Sequence, residues 1–193
     1  MKKAELVILT LSLIALGLNL LLVPGSGVVA VVGISVLSVI YFYLGFAFFN
    51  NIRLRSIFKK ESYKGVSTLR IVGALGAGFA LSLTAIGILF KFQSWPGAEF
   101  TLGAGLAGLF IVTVIGLIKY AKNKSAFYTK IFKRVAIFGV LGILLLAIPA
   151  ASWVSLKYRN HPDYVEAYKK SMADPENEEL RNNLEAERQK MKQ

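Results

Sequence analysis

The sequence predicts an all-α, polytopic membrane protein: five transmembrane helices followed by a short helical C-terminal tail. Three observations carry this. The 193-residue chain is 55% hydrophobic, with a mean hydropathy of +0.56, above what a soluble domain of this size usually shows. Its apolar residues are gathered into runs without Asp, Glu, Lys or Arg, at 6–52, 71–90, 100–118 and 135–156. Crossing the hydrocarbon core as a helix takes about 20 apolar residues, so each run holds one span and the first holds two.

The spans read as 6–23, 28–49, 69–90, 100–117 and 135–154, a transmembrane domain over 1–154. The first two are parted by Pro24-Gly25-Ser26-Gly27, residues that end helices or accept positive φ, which predicts an antiparallel hairpin. No small-x-small cleavage site follows the first span, and it is long for a signal-peptide core, so it reads as a retained helix. Pro149 predicts a kink in the last span, because it removes a backbone donor and crowds the carbonyl four residues back.

Orientation follows from the basic residues. Lys2 and Lys3, then Arg53 to Arg70, then Lys119 to Arg134 put fourteen Lys and Arg at one set of helix ends, against Lys91 alone at the other. The positive-inside rule makes the basic ends cytoplasmic in a bacterial inner membrane. With five crossings the N-terminus is cytoplasmic and the C-terminus periplasmic. The net charge of +12 falls entirely within 1–154, whereas 155–193 is balanced at eight bases and eight acids. The excess is therefore an orientation signal, and nucleic acid is not an expected partner. The two basic connections also read as short amphipathic helices or helix extensions: Leu54, Ile57 and Phe58 share one face, and Phe127, Tyr128, Ile131 and Phe132 another.

Within the spans the polar residues are Ser and Thr, which can bond back to their own helix, and Asn19, which needs a partner. No ionisable group stands in mid-span, where one usually marks an ion path or proton relay. Ala74 and Gly78, and Ala104 and Gly108, are small residues four apart, the spacing that lets membrane helices pack closely. The chain has no cysteine and one histidine, which removes disulfide and thiolate chemistry and leaves no metal cluster or catalytic set to name. The sequence thus predicts neither catalytic, cofactor nor metal sites, and a protein that is not an enzyme.

The stretch "FKFQSWPGAEF", 90–100, interrupts two spans. Pro96-Gly97 reverses the chain, Trp95 suits the headgroup level, and Lys91 is expected to snorkel outward beside Glu99. Together, Phe90, Lys91, Trp95, Pro96, Gly97 and Ala98 within "GILFKFQSWPGAEFTLGAGLAGLF" resemble the N-terminal membrane hairpin of the GldL family, an inner-membrane motor subunit of gliding motility and type IX secretion in Bacteroidota. The resemblance covers about 72–118. It implies a shared hairpin scaffold. GldL-type motors look to need an acid in the second helix, and the matching stretch from Gly105 to Phe110 has none. The family's histidine three residues after the lysine is replaced here by Ser94. The resemblance therefore implies the scaffold without the proton-driven chemistry.

The tail, 155–193, reads as two short extracytoplasmic helices. Tyr164, Tyr168 and Met172 share one face, a candidate partner contact, and Asp174-Pro175 looks like the start of the second helix. The expected function is a non-catalytic scaffold or interaction subunit of an envelope assembly, with the lipid bilayer and a membrane or periplasmic protein as partners. The alternative is a small channel, transporter or motor-associated subunit, with Asn19, Ser82, Thr84 and Thr113 around a polar cavity.

Overall fold

The computed structural model describes residues 2–191, and every regular element among them is helical. Helix α1 runs Lys2–Leu20, α2 Ser26–Phe49, α3 Thr68–Gln93, α4 Ala98–Lys122, α5 Ala126–Ala147, α6 Ala150–Lys157, α7 Pro162–Ala173 and α8 Glu178–Lys190. Helices α1 to α4 are long and apolar enough to cross a membrane, as expected of a multi-pass membrane protein. At 1.5 Å per residue the 26 residues of α3 extend about 39 Å.

The fifth span departs from the expected single helix over 135–154. Its chain stops being helical at Ala147 and restarts at Ala150, so among the described residues the helices able to cross number four, or five if the broken pair counts as one span. Pro149 does more than kink: it stands at the N-cap of α6. The charge-free part of α5, 135–147, is 13 residues long, about 20 Å, too short to span alone.

Helices α1, α2 and α3 end in one way. In each, a non-glycine residue takes a left-handed conformation: Leu22 at φ 59°, Asn51 at 60° and Ser94 at 55°. The next N–H then bonds back five residues: Val23 to Leu18, Ile52 to Ala47, Trp95 to Phe90. This pattern satisfies carbonyls the helix end would leave bare. In α3 it brings its usual apolar contact, the Phe90 and Trp95 rings meeting edge to face at 5.3 Å. Gly97, at φ 75°, then opens α4.

Chain order sets the packing: α1 lies on α2, α2 on α3, α3 on α4, and α5 on α3 and α4. Helix α3 is the centre, with thirteen buried residues against four in α4. Small residues set how closely the helices approach. Ala74 and Gly78 are both buried, and a Cβ on Gly78 would collide with the Tyr41 carbonyl of α2. Between α3 and α4, a Cβ on Gly87 would come 2.5 Å from Leu102 Cα, and one on Gly105 2.7 Å from Thr84 Cα. Gly108 faces Ala80, but Ala104 is exposed, and Gly105 takes the buried place expected of it.

The described chain divides into two compact units, one ending at Ala147 and one starting at Ile148. In the second, α7 packs on α6 and α8 on α7. Asn177 caps α8, accepting from the N–H groups of Glu179 and Leu180; Asp174 lies one turn too early and ends α7 instead.

Candidate functional site

Because successive helices run antiparallel, the bundle has a basic end, where α1, α3 and α5 start, and an opposite end carrying the 90–100 turn. The basic end holds a buried ionic cluster, and the opposite end an ion pair with one buried partner.

At the basic end, Glu5 of α1 is 3% exposed. It sits on the stripe that faces α2, with Leu9, Ser12, Ala15 and Leu16. Arg134 of α5 grips it with both arms of the guanidinium, Nε donating to Oε1 at 2.8 Å and Nη2 to Oε2 at 2.7 Å. Tyr41 of α2 donates its hydroxyl to Oε1 at 2.6 Å. Arg134 Nη1 returns to the Lys130 carbonyl at 2.9 Å, and the guanidinium lies 4.6 Å from the Phe48 ring centroid. Phe138 packs edge-on against Tyr41 at 5.6 Å. Three helices from opposite ends of the sequence are thus joined at one carboxylate. A fork-to-fork ion pair of this kind is short, directional and strong.

The sequence alone does not name this cluster: Arg134 reads there as one of fourteen orientation charges, and Glu5 carries no mark of its own. The available signal was that Glu5 falls on the same helical stripe as Leu9, Ser12 and Leu16, with a tyrosine and an arginine near the matching ends of α2 and α5.

At the other end, Lys91 does not snorkel outward. It is 2% exposed and held between α3 and α4, where Nζ donates to Glu99 Oε1 at 3.0 Å, while Glu99 is 58% exposed. The reversed chain after the left-handed Ser94 puts the first turn of α4 beside the last turn of α3, which brings the pair together. Glu99 also lies where the helix N-terminus favours an anion. Trp95, 36% exposed, and Pro96 form the outer face of the turn. Beside it Asn19 finds its expected partner in α2 through a long 3.5 Å contact to Ser26.

Four hydroxyl groups within the bundle are engaged there. Ser38 and Ser82 hydrogen-bond to each other at 2.7 Å across α2 and α3. Thr84 and Thr113 donate to carbonyls one turn back, Ala80 and Leu109. Among the described residues, no three His, Asp or Glu side chains gather as a metal set.

Of the three tail residues on the predicted partner face, Tyr164 is buried, its ring 4.8 Å from that of Tyr158 and 6.5 Å from that of Tyr168. Burial pushes its hydroxyl pKa up to about 12, with the neighbouring Tyr158 adding to the shift. Met172 is exposed.

The chain matches no family model, no curated protein and no solved structure.

Proposed function

We propose that this protein is a non-catalytic scaffold or interaction subunit of an envelope assembly, seated in a bacterial inner membrane with its N-terminus cytoplasmic and, with the broken α5–α6 pair taken as the fifth span, its C-terminal tail, 155–193, periplasmic. The observation that carries this reading is the closed Glu5–Tyr41–Arg134 cluster. Both carboxylate oxygens and the guanidinium are occupied by partners on three helices. Buried polar groups satisfied in this way rigidify a core, and rigidity serves a part that presents surfaces to neighbours. A channel or transporter gains more from open polar groups near the midplane, whereas Ser38, Ser82, Thr84 and Thr113 are engaged within the bundle.

The GldL-like turn inclines the reading toward motility or secretion machinery. In this reading the hairpin scaffold is shared without the chemistry, since α4 between Gly105 and Phe110 carries no acid for proton-driven movement. The partners are the bilayer and a membrane or periplasmic protein reached through the tail.

The absence of cysteine allows a direct test. Cysteines introduced as Ser62→Cys and Ser171→Cys are probed in intact cells with a membrane-impermeant thiol reagent, and a photo-crosslinker is placed at Met172. The expected result is labelling of the Ser171 site alone and a crosslink to an envelope protein. Labelling of the Ser62 site alone reverses the orientation. Correct labelling with no envelope crosslink rejects the scaffold role.

A further inference from the structure

We infer that the connection between α2 and α3 is a built lipid clamp that seats Phe58 and Leu54 in an anionic leaflet. The proposal requires only that α2 and α3 cross a bilayer; it is independent of where the tail lies.

Residues 50–67 join two helices long and apolar enough to span, so chain connectivity holds them at a bilayer face. The sequence expectation of an amphipathic helix here is not met. The segment forms two separate 3₁₀ turns, Leu54–Ser56 and Lys60–Tyr63. Nor is it a loose loop. Ile52 is buried. The Tyr63 ring stacks on Phe46 of α2 at 6.4 Å and 15°, and its hydroxyl donates to the Ile57 carbonyl at 2.6 Å. Backbone bonds from Ser56 to Arg53, Lys59 to Ser56 and Ser62 to Lys59 close successive turns.

This framework turns Phe58 fully outward, at 100% exposure, and leaves Leu54 at 51%. Arg53, Arg55, Lys59, Lys60 and Lys64 are exposed around them, with Glu61 the one acid of the segment. A fully exposed phenylalanine on a pinned turn is costly in water. Ringed by cations, it fits a surface that is apolar within and anionic without. A phospholipid leaflet has that profile over a few ångströms: acyl chains for the ring, phosphates for the ammonium and guanidinium groups. The long basic side chains can lay their stems on the acyl boundary and keep their charges among headgroups.

The test uses the full chain in nanodiscs, with a nitroxide on Phe58→Cys. Discs are made of phosphatidylcholine alone or with phosphatidylglycerol added. With phosphatidylglycerol the label is expected to collide several-fold more with oxygen than with a water-soluble nickel chelate, and this preference is expected to fall in pure phosphatidylcholine and in the Lys59→Gln/Lys60→Gln background. A second label on Leu54→Cys, with Phe58 in place, is expected to sit at similar depth and to move into water on Phe58→Asp. Equal chelate access in both lipids overturns the proposal. So does equal burial in both, which removes the anionic requirement, or a Leu54 label indifferent to Phe58→Asp.

Discussion

Glu5 is the residue whose replacement says most about how this bundle is held. Glu5→Gln keeps the shape and removes the charge. The new amide can still accept from Tyr41, but its NH2 group must then face the guanidinium, donor against donor. Arg134, 15% exposed, is left without a counter-charge. Removing one partner of a buried pair typically costs about 3–5 kcal/mol. Phe48, 4.6 Å from the guanidinium, offers the cation a partial alternative, which argues for the lower end, about 3 kcal/mol. For a chain of this length each kcal/mol moves the midpoint by roughly 2–4 °C, so thermal unfolding of the purified protein in micelles should drop by about 10 °C.

The decisive comparison is the double variant. Arg134→Met alone strands the buried carboxylate and should also cost about 3 kcal/mol. Combined with Glu5→Gln, neither charge remains to be stranded, and the loss relative to wild type should shrink to about 1–2 kcal/mol. The two substitutions would then be non-additive by several kcal/mol, as members of one network are. If the double variant instead melts at the temperature expected from adding the single losses, the cluster is not a coupled unit, and the rigid-core argument for a scaffold fails with it.

Other substitutions test other parts of the structure. Gly87→Ala and Gly105→Ala force a Cβ against the backbone of the facing helix and should each destabilise by about 1–3 kcal/mol, whereas Gly73→Ala and Gly103→Ala, with open space around them, should be neutral or mildly stabilising in the same melts. Ser94→Gly relieves a left-handed conformation at φ 55° and should stabilise by about 1 kcal/mol; a loss of stability would mean that the Ser94 side chain matters more than its backbone. Glu99→Gln leaves the buried Lys91 ammonium without its carboxylate and should lower the midpoint more than Lys91→Met, which leaves only a carboxylate exposed to water; the reverse ranking would contradict the burial of Lys91. In the tail unit, Tyr164 holds its proton up to about pH 12 when folded and only to about 10 when unfolded. Its contribution is therefore intact below pH 10 and fades as pH rises toward 12, by on the order of 1–2 kcal/mol after solvent screening is discounted from the roughly 2.7 kcal/mol that two units represent, and Tyr164→Phe should flatten that part of the pH–stability curve.

How far the sequence speaks depends on the range of the interaction. Spans α1 to α4 were legible because lipid leaves little choice: a backbone that cannot bond to water must form helices, and charges must stay at their ends. The hairpin at 90–100 is legible for similarly local reasons, since Pro96-Gly97 and the Phe90–Trp95 aromatic pair just before it act within about one turn. Pro149 announced a disturbance, but whether a proline kinks or breaks a helix depends on its neighbours, and the small residues Ala150, Ala151 and Ser152 let α6 restart directly after it. Asp174-Pro175 looked like a helix start on residue type alone, yet Asn177, three residues on, offers its side-chain oxygen to two N–H groups at once. Ala104 and Gly105 differ by one position, about 100° of helix phase, and spacing alone does not say which faces α3.

The Lys91–Glu99 pair spans one turn and is legible from it, but the Glu5–Arg134 pair lies beyond local reasoning. Glu5 and Arg134 are 129 residues apart, and nothing near either one names the other. The rule that assigns basic residues to the cytoplasmic end accounts for Arg134 so completely that it hides a second role. Charge counting and pair formation draw on the same residues at the same end of the bundle. One acid set among fourteen bases has no shortage of candidate partners, and only the packing of α1, α2 and α5 selects among them. An acid on the buried stripe of a helix, at an end of the bundle crowded with bases, is thus best read as a search for a guanidinium.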